Sequence, residues 1–146
     1  MNNKIKSYIF DFVQIASLLL MLFTGPIIAS NGVLVVFQMV AILILLVAAW
    51  QMRRTKYYRV PDTGPQNELV KNGIFTYVRN PMYLSQLLFC GTLLLNSFSM
   101  PRLLVYLIYI TNFIFKIKYE EVLLDTHFKE FAHYKKTSWR LIPLIY

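Results

Sequence analysis

Residues 33 to 52 read VLVVFQMVAILILLVAAWQM, with Gln38 as the one strongly polar residue in the interior. A helix that crosses the hydrocarbon core of a bilayer needs about 20 consecutive apolar residues. This stretch meets that need, and a small soluble globule could not hide it. Working outward, three further segments read the same way. Tyr8 to Ala29 carries Asp11 and Gln14 near its start and Pro26 near its end. Met82 to Phe98 is polar only at Ser85, Gln86, Thr92, Asn96 and Ser97. Leu103 to Ile117 is short, so it must tilt, thin the bilayer or run on into a following helix. The expected fold class is therefore all-α, a multi-pass transmembrane helix bundle. It has about four spans and a C-terminal amphipathic helix, in a single domain of residues 1–146.

Composition agrees. Hydrophobic residues make up 57% of the 146 residues and charged ones 15%, with a formal net charge of +8. A basic balance can mean nucleic acid, but here the charge lies between long apolar runs, which points to a membrane surface. Its distribution also orients the chain. Of fifteen Lys and Arg, all but Arg102 lie before the first expected span, in the 53–80 loop, or from Lys116 onward. The positive-inside rule then places both termini and the loop in the cytoplasm. Cys90 is the single cysteine and lies in an apolar run, so no disulfide framework or Cys-based metal site is available. Two histidines without HxxxH spacing give no metal site either. The first apolar stretch is too long for a signal-peptide core and lacks a cleavage motif. Within the loop, Val60 to Gln66 (VPDTGPQ) reads as extended or turning.

Beyond the fourth span, Lys118 to Lys136 reads as one helix. At about 100° per residue, Glu120, Leu123, Leu124, His127, Phe128, Phe131 and Tyr134 share a face. Lys118, Glu121, Asp125, Lys129 and Lys136 lie opposite, which makes Glu121 alone a solvated residue. The tail Trp139 to Tyr146, with Pro143, reads as an interfacial anchor.

Two places could carry chemistry. Gly73 to Tyr83 (GIFTYVRNPMY) leads straight into the third span, with Asn80 suited to cap it and Pro81 to its first turn. The exposed N–H groups of a helix start favour a carboxylate or phosphate, and Arg79 adds a fixed charge there. An ordinary capped helix with an interfacial Arg and Tyr is the plain alternative. The second place is Lys116, Glu120 and Glu121. Glu120 sits mid-stripe, where a carboxylate is costly unless paired, so it is a candidate site residue. Lys116, one turn earlier, is a possible partner. An interfacial salt bridge of Glu120 with Lys116 or Arg79 is the competing reading.

In this order, these segments resemble the isoprenylcysteine carboxyl methyltransferase and phospholipid N-methyltransferase superfamily. Its members carry a Gly-x-aromatic-x-x-x-Arg-His-Pro-x-Tyr segment before a transmembrane hairpin. A Glu-Glu pair follows, then an aromatic-rich helix and a terminal Pro. The resemblance covers about Leu69 to Ile145. It implies S-adenosylmethionine as cofactor, bound by Leu69, Val70, Phe75, Arg79, Asn80, Pro81, Met82, Tyr83, Glu120 and Glu121. It also implies catalytic roles for Glu120 and Asn80, a substrate contact from Lys116, a lipophilic acceptor entering from the bilayer, and no metal. Asn80 stands where the family usually has His, and Lys129 where a Gly is common. An amide cannot shuttle a proton at neutral pH, which favours a carboxylate or thiolate acceptor, or a base elsewhere such as Glu120. Two other readings remain. Membrane sterol or enone reductases using NADPH share an Asn-Pro-x-Tyr segment and a Lys-rich, Pro-terminated tail, as at Asn80 to Tyr83 and Lys135 to Pro143. A non-catalytic membrane adaptor would use the loop to bind partners or anionic lipid.

Overall fold

A computed structural model describes residues 3–53 and 69–143. The turn expected at Val60 to Gln66, the loop charges Arg54, Lys56 and Arg59, and the last residues of the expected anchor, 144–146, lie outside them. Among the described residues five helices follow one another: α1 (Asn3–Phe23), α2 (Gly32–Arg53), α3 (Pro81–Asn96), α4 (Met100–His127) and α5 (Phe131–Thr137), with a 3-10 turn at Gly73–Thr76 before α3. The fold is all-α. Among the described residues three segments are long and apolar enough to cross a membrane: Ile5–Phe23, Gly32–Arg53 and Met100–His127. Their outward faces carry exposed Phe12, Leu20, Val36, Leu43, Leu46, Leu104 and Ile108, as suits contact with lipid.

Boundaries differ from expectation in three places, each for a local reason. The first span was expected to reach Ala29, but α1 ends at Phe23. Pro26 disfavours helix at the residue before it, and Gly25 leaves room for a guanidinium, since a Cβ there would meet Arg102 Nη1 at 2.5 Å. The expected third span to Phe98 is a sixteen-residue helix ending at Asn96, about 24 Å long at 1.5 Å per residue. The short fourth span and the helix after it are one element. α4 runs unbroken for 28 residues, about 42 Å, against roughly 30 Å of hydrocarbon, so its last turns extend past the apolar zone.

The separate helix expected over Lys118 to Lys136 is thus corrected. It continues α4 to His127, breaks at Phe128, which takes extended backbone (φ −120, ψ 108), and resumes as α5. His127, expected on the packed face, is exposed. No Gly or Pro marks the break. It exists because α5 folds back, burying Phe131 and Tyr134, with Tyr134 Oη donating to the carbonyl of Phe75.

Within the bundle α2 packs along α3 and α1 along α4, while α3 also touches α1 and α4. Met21, Leu87, Cys90, Leu93, Tyr109, Phe113 and Ile117 form the core. One end of the bundle gathers the start of α1, the end of α2, the start of α3 and the last turns of α4, closed by α5 and the tail. Trp139 N–H donates to the Tyr77 carbonyl and Arg79 N–H to the Trp139 carbonyl, both at 2.8 Å. The tail expected as a surface anchor is therefore stitched to the segment before α3, with Leu141 buried beneath it.

Candidate functional site

That closed end holds a cavity of about 330 Å³, at the small end of the roughly 300–1,000 Å³ usual for ligand sites. Gly73, in the left-handed region (φ 64), lets the chain turn tightly against Gln51 of α2, whose Oε1 accepts from Ile74 N–H at 3.1 Å. This fixes where Phe75 and the start of α3 stand. Every site residue drawn from the sequence lines the cavity: Leu69, Val70 and Phe75 before α3, Arg79 to Tyr83 across its start, and Lys116, Glu120 and Glu121 from α4.

Their partners refine the expectations. Glu121, read as a solvated residue, is buried. Arg79 Nε donates to its Oε1 at 3.0 Å and Arg140 Nη2 lies 2.7 Å from its Oε2. Helical phase alone pointed it outward, but the folded-back tail turns that side of α4 into an interior. Arg79 also donates to the carbonyls of Lys135, at 3.1 Å, and of Ser138. The guanidinium expected to await an anion is therefore already a clamp on the tail. Two cations around one carboxylate leave this wall with a net positive charge, and the close pairing offsets the cost of burying it.

Asn80 stands at the N-cap position of α3, but its side chain makes no capping hydrogen bond. Nδ2 instead donates to the Arg140 carbonyl at 2.8 Å, a further stitch to the tail. Glu120 accepts from Tyr83 Oη, at 2.8 Å to one oxygen and 3.0 Å to the other, so its carboxylate is oriented. Lys116 is buried and reaches across to α1, donating to Asp11 Oδ1 at 2.7 Å and Gln14 Oε1 at 2.6 Å. Burial pushes the phenol of Tyr134 up to about 12, so it stays neutral and keeps its bond to Phe75 at any physiological pH.

Sequence reasoning missed the contribution of α1, where Ser7, Asp11, Gln14 and Ile15 form a wall. It also missed Gln86, Phe131 and Tyr134 as lining residues and Arg140 as a partner of Glu121. A signal did exist on α1. Ser7, Asp11 and Gln14 recur at four and three residues, a polar stripe on an otherwise apolar helix. Phe131 and Tyr134 were placed on the packed face by periodicity, but Arg140 had no signal, because its place depends on a break that no local residue encodes.

The sequence model of a family described as phospholipid methyltransferase matches residues 27–130. Searches of curated proteins and of solved structures give no match. The matched stretch spans α2, α3 and α4 and leaves out α1 and α5, whose share in the cavity rests on geometry alone.

Proposed function

The chain belongs to the phospholipid methyltransferase family, and we propose that it transfers a methyl group from S-adenosylmethionine to a lipophilic acceptor at the cytoplasmic face of the membrane. The reading rests on one observation. Two segments more than thirty residues apart in sequence, 69–83 and 116–121, form facing walls of one cavity that carries both signs of charge.

The residues present fit this cofactor. It bears a sulfonium, an ammonium, a carboxylate and a flat apolar base. Leu69, Val70, Phe75 and Met82 supply apolar surface for the base. Glu120, oriented by Tyr83, takes the ammonium through a charge-assisted hydrogen bond. The Arg79–Glu121–Arg140 wall, with its excess positive charge, takes the carboxylate. S-adenosylmethionine supplies an electrophilic methyl group carried on positively charged sulfur. The chain's part is alignment. Tyr83, stacked on Phe113 at 4.8 Å between ring centroids, is a rigid divider between the Glu120 side and the α1 side. Holding an acceptor in contact and in line with that methyl group beside such a fixed ring would remove much of the barrier by positioning alone. Asn80 acts by fixing the tail over the cavity. The 42 Å reach of α4, longer than the hydrocarbon core, supports a Glu pair at the membrane surface, where a polar cofactor would arrive from water and a lipid from the side.

Equilibrium binding to the detergent-purified protein tests the assignment. S-adenosylhomocysteine is expected to bind and NADPH is not. NADPH binding without S-adenosylhomocysteine binding would favour a reductase.

A further inference from the structure

Tyr109 is fully buried and does not line the cavity, yet it ends a chain of side-chain hydrogen bonds that does. Its hydroxyl donates to Gln86 Oε1 at 2.8 Å. The same oxygen accepts from Gln14 Nε2 at 2.9 Å, and Gln14 Oε1 accepts from Lys116 Nζ at 2.6 Å. Tyr109 and Lys116 stand about two turns apart on α4. The chain of bonds therefore leaves α4, passes through α3 and α1, and returns to α4. Gln86, Gln14 and Lys116 all line the cavity. A buried hydroxyl can be satisfied by a backbone carbonyl, as Tyr106 is by Leu87 at 3.0 Å. Tyr109 instead holds a side chain that faces the cavity.

We propose that Tyr109 is a positioning residue for Lys116, acting through Gln86 and Gln14 to hold the ammonium in one place in the cavity wall. What Lys116 does there, contact the acceptor, rests on the methyl-transfer reading; the relay itself does not. An ammonium only donates, and a phenol brings a single hydrogen. Lys116 therefore needs the oxygen of Gln14, which turns the nitrogen of that amide towards Gln86. That nitrogen needs an oxygen in turn, and the Tyr109 hydroxyl draws the Gln86 oxygen to the same point. Reversing either amide sets donor against donor at a junction and leaves buried bonds unmade, which is costly. One arrangement satisfies the whole chain, and it fixes Lys116. Asp11, at 2.7 Å, supplies the countercharge. A carboxylate alone, however, lets a compact ammonium on a flexible stem swing around it, and the relay adds a second fixed point. The Tyr109 ring acts on the other partner of Lys116. It lies 4.6 Å from Phe113, which lies 4.8 Å from Tyr83, and Lys116 Nζ stands 5.1 Å from the Tyr83 ring centroid. The ring thus sets the aromatic face and the hydroxyl sets the cation over it.

Acylation by acetic anhydride, read by mass spectrometry on the detergent-purified full chain, reports how firmly Lys116 is held. Exposed Lys118 on the same helix is the internal reference. Tyr109→Phe keeps the ring and removes the hydroxyl. It is expected to raise the ratio of Lys116 to Lys118 acylation by roughly two- to tenfold, as for loss of one neutral hydrogen bond. Gln14→Leu cuts the chain next to Lys116 and should raise the ratio as well. Adding Tyr109→Phe to Gln14→Leu should raise it no further, because the two act along one route. A hydroxyl that merely supports helix packing would act on both backgrounds alike. An unchanged ratio in Tyr109→Phe, or a further rise in the double variant, overturns the proposal. Gln86→Met cuts the chain at its middle and replaces either variant that does not fold. The same rise is expected from it alone, and the same lack of addition in combination. The ratio needs no cofactor, and S-adenosylhomocysteine binding by wild type is measured alongside. Absence of that binding with the ratios as expected sinks the donor assignment and keeps the relay.

Discussion

Both ends of the bundle bury polar side chains, yet only the cavity end pairs charged side chains with one another. At the end formed by residues 24–31 and 97–99, polar groups bind the backbone. Arg102 donates to the carbonyls of Ser97 at 2.8 Å and Met21 at 3.1 Å. Gln38 spans the Ile27 carbonyl and the Ala29 N–H, and Asn96 accepts from Ser30. At the cavity end some side chains also bind backbone, as Asn80 and Arg79 do to the tail, but the charged groups pair with one another: Asp11 with Lys116, Glu121 with Arg79 and Arg140, Glu120 with Tyr83. A backbone partner cannot be exchanged without unfolding a turn, whereas a side-chain partner can turn to a ligand. The first end is built to close turns and the second to accommodate a guest.

Substitutions at the two ends should therefore separate stability from binding. The largest effect is expected for Glu121→Ala, which leaves two guanidiniums against an empty wall. Removing one partner of a buried pair costs about 3–5 kcal/mol, and denaturant titration in detergent should show it together with a loss of S-adenosylhomocysteine binding. Arg102→Met removes bonds to two carbonyls at the other end. It should cost about 1–3 kcal/mol of stability and leave ligand affinity unchanged. A matching loss of affinity would erase the distinction between the ends. Asn80→Ala forfeits one neutral hydrogen bond to the tail, worth about 0.5–1.5 kcal/mol. Thermal unfolding should report a small drop, with Asn80→His recovering part of it. If Asn80→Ala melts like wild type, the stitch to Arg140 contributes nothing. Sidedness is tested by labelling. A Cys at Asn31 should react from the non-cytoplasmic side of the membrane and one at Gln66 only from the cytoplasmic side, and the reverse pattern would move the cavity to the other face.

The contrast also shows what the sequence could carry. Apolar runs announced the bundle, and Asn80 to Tyr83 with Glu120 marked the cavity, because capping residues and a carboxylate within an apolar stripe are local signals. The continuity of α4 through Lys118 was open from local pattern and was settled by length. Glu121 was misplaced because periodicity describes one helix against one environment, whereas the tail supplies a second interior on its other side. The break at Phe128 has no breaker residue and is carried by the burial of Phe131 and Tyr134, which is information spread over distant residues. Asp11 and Gln14 were visible as polar residues near the start of a span. Their partnership with Lys116, more than one hundred residues away, belongs to the packing of α1 on α4.

The most direct test of the central claim is isothermal binding of S-adenosylhomocysteine to wild type, Glu120→Gln and Arg102→Met, each with its unfolding curve. Glu120→Gln keeps the shape of the side chain and removes its charge. It is expected to weaken binding by about 1.5–3 kcal/mol while melting close to wild type, with Arg102→Met showing the converse. Equal affinity of wild type and Glu120→Gln, both folded, would contradict the account and leave Glu120 a structural partner of Tyr83.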